Sequence, residues 1–291
     1  MSSTPNPPPA PWRSLFLSHL TRLNPVTFTL ATLHPTPSCE SPSAGLPAVP
    51  RARTCIFRGL WGELPRNAHN GAARNPALYE SDLPVLTTDA RTDKAGELFD
   101  SAGGAGGGTM TGGGGPVEAV FWVEPARTQW RVRGSAWVLA ADADSDGEGA
   151  RKVRDLLMRR MRRREQAPAP AGDQSEGGEW SFAREVTAHF GNLSPLMRGS
   201  FRGPAPGTPV AYGAAEGEVN AMGRTLDDLE DEAARRNFRT VVIVPEEVDQ
   251  VDLTDEARPK RWLYVYRGAA GESKLAGGEV IGEWEKAEVW P

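Results

Sequence analysis

Two strand-forming stretches, Val117 to Glu124 and Trp130 to Ala140, follow each other with only the turn residues around Pro125 to Thr128 between them. Valines and aromatics suit a pleated, half-buried surface, and so short a link joins antiparallel neighbours. The pair reads as a β-hairpin, so the middle of this chain is an antiparallel sheet rather than a series of βαβ units.

The flanking elements agree with that frame. After PPPAP, the residues Trp12, Leu15, Phe16, Leu20 and Leu23 recur at helical spacing and predict an amphipathic helix that packs on a sheet. A strand is expected over Ala52 to Leu60 and another over Pro84 to Thr88, followed by a turn at Asp89 to Asp93 and a short helix through Ala95, Leu98 and Phe99. A basic helix is expected over Ala150 to Glu165, with Val153, Leu156, Leu157 and Met161 on one face, and a further helix over Phe182 to Phe190. Thr225 is the expected cap of an acidic helix from Leu226 to Arg236, and strands return at Thr240 to Val244, Trp262 to Arg267 and Glu283 to Val289. The fold class is therefore mainly β with flanking helices, a barrel rather than a doubly wound sheet.

The hydrophobic fraction, 39%, is low, and 32 glycines with 25 prolines place the deficit in loops. We expect a single domain over residues 1–291 with flexible insertions at 36–50, 101–115, 141–149 and 166–179. A formal charge of −5 speaks against sequence-independent nucleic-acid binding. Cys39 and Cys55 are the two cysteines, the start of the chain has no charged-then-apolar signal pattern, and no apolar run approaches a membrane span, so a cytoplasmic protein is expected.

Read in order, RARTCIFRG (51–59), LTTDARTDK (86–94), TQWRVRG (128–134), NLSPLMRGSFRGPAPG (192–207) and RPKRWLYVYR (258–267) resemble the pyridoxamine 5'-phosphate oxidase-like FMN-binding proteins. The nearest branch is the one with an early W-R-x-x-F helix and an S-P-x-x-R block. The resemblance implies an FMN-binding split β-barrel, a homodimer with the flavin site between subunits, and FMN as cofactor. It maps a phosphate-facing Arg onto Arg53 and a flavin- or substrate-facing basic residue onto Arg58. Residues five apart on a regular strand face opposite sides, so these two serve one site only if the strand bends or bulges, or if one reaches a partner's site.

The resemblance further implies a phosphate loop made by Thr87, Thr88, Arg91, Thr92 and Lys94, whose hydroxyls, guanidinium fork and ammonium are the donors that a phosphomonoester needs. Gln129 and Arg261 match flavin-contacting positions. The vitamin oxidases carry an R-x-H pair just before that last Arg, where this chain has Ala257 and Pro259, and the aromatic that packs on the cofactor is Val251 here. Oxidation of a vitamin B6 phosphate is thus not implied, and the substrate is an unidentified small molecule.

Several motifs are discounted. GGAGGG (103–108) lacks the strand-to-helix context of a dinucleotide loop, and Asp142, Asp144 and Asp146 copy the start of a calcium loop whose twelfth position is Val153. The four histidines lack metal-ligand spacing, so no metal is expected. The basic run 151–164 reads as a solvated face, with a nuclear address or an RNA strip as the alternative. The leading expectation is an FMN-dependent oxidoreductase with unassigned catalytic residues; the rivals are a non-catalytic flavin-binding protein and a scaffold or RNA-associated protein using the basic helix.

Overall fold

The structure, a computed structural model, describes residues 6–35, 48–102, 110–164, 179–269 and 271–291. The insertion residues 36–47, 103–109 and 165–178, with Cys39, lie outside the described residues. In chain order the elements are α1 (Arg13–Leu20), β1 (Thr27–Pro35), β2 (Ala48–Ile56), β3 (Tyr79–Ser81), β4 (Val85–Asp89), α2 (Asp93–Asp100), β5 (Gly112–Val123), β6 (Thr128–Leu139), α3 (Glu148–Arg160) and β7 (Met161–Arg163). There follow α4 (Phe182–Gly191), α5 (Pro195–Ser200), α6 (Glu216–Ala221), α7 (Glu232–Asn237), β8 (Phe238–Asp252), β9 (Lys260–Tyr266), β10 (Glu279–Ile281) and β11 (Trp284–Val289).

Nine strands form one antiparallel sheet in the order β10-β11-β9-β8-β6-β5-β1-β2, with β4 paired to the start of β8. The expected hairpin is its centre, Val117 facing Gly134 and Val123 facing Thr128. One face of the sheet closes on α1, where Trp12, Phe16 and Leu20 are buried against Leu30, Phe121, Trp130 and Trp284. Phe16 meets Phe121 edge-on at 5.1 Å and Trp130 at 5.5 Å, a geometry that adds roughly 1 kcal/mol per pair to burial. Leu15, expected on the apolar face, is exposed. The other face carries a second core of Trp61, Leu139, Val153, Leu157, Phe182, Phe190 and Phe238 under α3 and α4. β8 lies between the two cores, and its residues from Phe238 to Val244 are all buried, as a strand covered on both faces must be.

Four local expectations are corrected. β1 was not anticipated; its buried positions Phe28, Leu30 and Thr32 alternate along the strand. The end of the glycine run is strand: Gly113 and Gly114 take φ of +90° and +108° at a bulge, and a Cβ on Gly114 would lie 2.7 Å from the Trp137 ring. The basic helix stops at Arg160, because 161–163 pairs with β3 as β7. Arg162 is buried and donates to Asp82 at 2.8 and 3.0 Å and to Glu80 at 2.6 Å, so part of the basic run is internal rather than a solvated face. The acidic helix begins at Glu232 rather than Leu226, because the Asp231 carboxylate accepts from Ala234 N at 2.8 Å and takes the cap expected of Thr225.

Asp142 and Asp144, the start of the discounted calcium loop, accept hydrogen bonds from Thr111 and from the first turn of α4. Among the described residues no group of acids, histidines or cysteines is arranged to hold a metal, and no helix is long and apolar enough to cross a membrane.

Candidate phosphate-binding site

The turn from β4 into α2 is built by one carboxylate. Asp89 accepts the Arg91 backbone N–H at 2.8 Å and binds the Arg91 guanidinium through both oxygens, Nε at 3.0 Å and Nη2 at 2.7 Å. The remaining Arg91 donors reach the carbonyls of Gly203 at 2.8 Å and Phe201 at 3.3 Å. Arg91 therefore fastens the turn to the segment after α5, and does not face open volume as a phosphate ligand would.

Between these two walls lies a cavity of about 480 Å³, lined on one side by Thr87, Thr88, Thr92 and Lys94 and on the other by Met197 and Phe201. Lys94 Nζ donates to Thr88 Oγ1 at 2.9 Å and lies 3.5 Å from Thr92 Oγ1. Among the described residues no carboxylate is paired with this half-buried ammonium, and burial, helped by the nearby Arg53 charge, pushes its pKa below the usual lysine value against the opposing pull of Cys55, Asp89 and Glu97. Among the described residues Lys94 thus has hydroxyl partners and no ion pair, although the Asp89 carboxylate, itself bound by Arg91, also lines the cavity.

The Arg53 and Arg58 geometry follows from where β2 ends. Arg53 is on the strand, opposite Leu30 of β1, and donates to Thr32 Oγ1 and, at 2.7 Å, to Glu97 Oε2. Glu97 is buried, which works to raise its pKa, but hydrogen bonds from Thr32 and His34 and the Arg53 charge outweigh burial and hold it below the usual carboxylate range. Arg53 is thereby neutralised inside the protein, although it lies near enough to Lys94 to bear on its charge. Arg58 lies two residues past the end of β2, its backbone N–H on Val85 O at 2.8 Å and its Nε 3.3 Å from Thr87 Oγ1. Leaving the strand frees it from strict alternation and brings it to the cluster, with no carboxylate paired to it among the described residues. Burial lowers its pKa.

Gln129 and Arg261 are elsewhere. They occupy one row across β6, β8 and β9, each opposite Val251, while Thr88 lies opposite Arg239, twelve positions back along β8. At about 3.3 Å per residue this is on the order of 40 Å of strand, beyond the reach of one mononucleotide. Arg261 is bound there by the buried Asp249 at 2.7 and 3.1 Å, which also takes Arg131. The structure thus gathers Arg58, Thr87, Thr88, Thr92 and Lys94, gives Arg53 and Arg91 to carboxylates, and sets Gln129 and Arg261 apart. Glu97, the decisive neighbour missed from sequence, had no local signal: two residues on from Ala95, it lies on the opposite side of α2 from Ala95, Leu98 and Phe99, and is buried by Thr32, His34 and Arg53 of other elements.

Residues 9–140 match the family model for the pyridoxamine 5'-phosphate oxidase FMN-binding domain. The crystal structure of a pyridoxamine 5'-phosphate oxidase-related, FMN-binding protein from Nostoc punctiforme PCC 73102 has the same fold at a TM-score of 0.57 and 20% identity, covering 97% of this chain and 98% of its own. The crystal structure of PhzG from Burkholderia lata 383 in complex with tetrahydrophenazine-1-carboxylic acid covers 96% of this chain and 89% of its own at 12% identity, and its TM-score of 0.40 carries no weight here. No curated protein matches the sequence. The β4–α2 turn and the central hairpin both lie inside the matched stretch, so the similarity to the pyridoxamine 5'-phosphate oxidase FMN-binding domain covers the elements that carry Thr87, Thr88, Thr92 and Lys94.

Proposed function

We propose that this chain binds FMN with its phosphate in the cavity between the β4–α2 turn and α5, and that it is a flavin-dependent oxidoreductase. The observation that carries the reading is Lys94: a half-buried ammonium whose neighbours are threonine hydroxyls, beside a cavity of about 480 Å³. A phosphate supplies the ion-pair partner that Lys94 and Arg58 lack among the described residues, and it accepts from Thr87, Thr88 and Thr92. Asp89 and Arg91 then position the turn, and Arg53 with Glu97 supports it from behind. When bound, FMN supplies an isoalloxazine that accepts a hydride or electrons from a substrate. The protein's own part is to orient the cofactor and shield it, with Met197 and Phe201 as the apolar wall.

The row holding Gln129 and Arg261 supports a homodimer in which a second copy brings that row to the flavin. The whole chain is read as one domain, because β1 and β2 share the sheet with β9 to β11. Its low cysteine content supports the cytoplasm. Ala257 and Pro259 offer no cation or imidazole, so no vitamin B6 substrate is assigned, and a non-catalytic flavin carrier is the second reading. The test is titration of the purified protein with FMN, followed by turnover with reduced nicotinamides and amines. Saturable FMN binding with turnover supports the oxidoreductase, binding without turnover supports the carrier, and no binding refutes both.

A further inference from the structure

Between Gly203 and Gly223 the chain leaves the body of the protein and returns to it, and it does both at the cavity around Lys94. One foot of this segment is fixed by Arg91, which donates to the carbonyls of Phe201 and Gly203 at 3.3 and 2.8 Å. The other is fixed just beyond it, where Leu226 N donates to Pro195 O at 2.9 Å and Arg198 Nε donates to Leu226 O at 2.8 Å. Both feet line the cavity, the first through Gly203, Pro204 and Pro206 and the second through Met222 and Gly223.

The chain between the feet is held lightly. Every residue from 206 to 217 is exposed, and Ala221 is the only buried residue from 204 to 223. Among the described residues its backbone hydrogen bonds are made within 205–224, as at the 3₁₀ turn Val210–Tyr212. Its side-chain link to the body, among those residues, is a 4.0 Å pair of Glu218 with Arg91, whose guanidinium Asp89 already binds at 2.7 Å. Near the feet, Gly207 and Gly223 take φ of +83° and +68°, and a Cβ on either would meet no atom within 4 Å. Glycine adopts such angles without strain, and with open space around them these two positions can turn. The segment's load is apolar: Val210 is 96% exposed, Tyr212 81% and Met222, at the cavity, 63%. From Gly203 to Gly223 the chain reaches on the order of 60 Å when extended, several times the width of a cavity of about 480 Å³.

We propose that residues 204–223 are a strap that closes over this cavity when it is filled, bringing Val210 and Tyr212 onto the flavin ring system and excluding water from it. The proposal rests on the reading of the cavity as the flavin site. A bound flavin adds a broad planar surface, which a tyrosine ring covers by offset stacking, and apolar side chains left in water gain by that burial. Because both feet border the mouth, a turn about them carries the strap across it. Release of the cofactor then waits for the strap to reopen, as it does behind other closing loops.

The experiment compares the purified chain with and without FMN, after occupancy has been measured by flavin titration. Chymotrypsin cleavage after Tyr212 and amide hydrogen exchange over 204–223 read the strap, while exchange in β10, an exposed edge strand, reads general tightening. We expect FMN to slow cleavage after Tyr212 at least about tenfold and to slow exchange over 204–223, with β10 changed less than about twofold, at every protein concentration. Val210→Ser combined with Tyr212→Ser, both at exposed sites, should leave a urea melt unchanged yet speed FMN dissociation roughly tenfold. Tyr212→Phe alone, which keeps the ring, should hold the dissociation rate within about twofold. The strap is overturned, with FMN binding left standing, if FMN saturates the protein but leaves cleavage and exchange over 204–223 unchanged, slows β10 equally, or leaves the double variant at the wild-type rate. It is also overturned if protection follows protein concentration rather than FMN, for then a second copy covers these residues. Absence of FMN binding overturns the flavin site and the strap together.

Discussion

The two ends of β8 hold cations in opposite circumstances. At its start, beside β4, Lys94 faces threonine hydroxyls and open volume; near its end, Arg131 and Arg261 converge on the buried carboxylate of Asp249. Both were singled out by motif, and only burial and pairing separate them. A cation matched inside the protein needs no ligand to be stable, whereas one short of a counter-charge is poised for an anion. Arg53, matched by Glu97, and Arg91, matched by Asp89, fall with the second end although they lie beside the first.

The largest expected effect that sharpens this contrast is Lys94→Ala. Loss of one charge-assisted contact should weaken FMN binding by about 2 kcal/mol, roughly 30-fold, with little change in a urea melt. Arg53→Ala should do the reverse: the buried Glu97 loses its partner, stability falls by on the order of 2 kcal/mol, FMN affinity changes less, and Glu97→Gln in the same chain restores part of the loss. If Arg53→Ala instead matched Lys94→Ala in affinity with an unchanged melt, Arg53 would be a phosphate ligand and the division would break.

Asp249→Asn, at the far end, should cost about 1 kcal/mol of stability, discounted because Arg131 and Arg261 are about a third exposed. The smallest effect concerns pH. The Lys94 pKa is lowered in the folded protein, so its proton leaves below the usual lysine range as pH rises. FMN affinity should therefore decline on the alkaline side earlier than an ordinary lysine would allow, and Lys94→Ala should abolish that decline, as binding measured across a pH series would reveal.

Much of the frame was legible. The β5–β6 hairpin, the β4–α2 turn and α4 are fixed by local pattern, and the structure has them near the expected bounds. What failed was decided at long range. The basic helix ends where β7 finds β3, and the glycine run becomes strand because β6 supplies its hydrogen bonds. The site divides the same way. Thr87, Thr88, Thr92 and Lys94 sit in one turn and were readable together, but the acid that neutralises Arg53 is 44 residues away and the one that holds Arg261 is 12 away. Motif spacing names the donors; the carboxylates that remove some of them from service come from other elements.

The central claim is that Lys94 and its threonines recognise a phosphate. Its most direct test is a side-by-side titration of the purified protein with FMN and riboflavin, which differ only in that group, followed by flavin fluorescence. The account predicts that FMN binds at least about tenfold more tightly than riboflavin and that Lys94→Ala closes most of the gap. Equal affinity for the two flavins, or a gap that Lys94→Ala leaves intact, would contradict it.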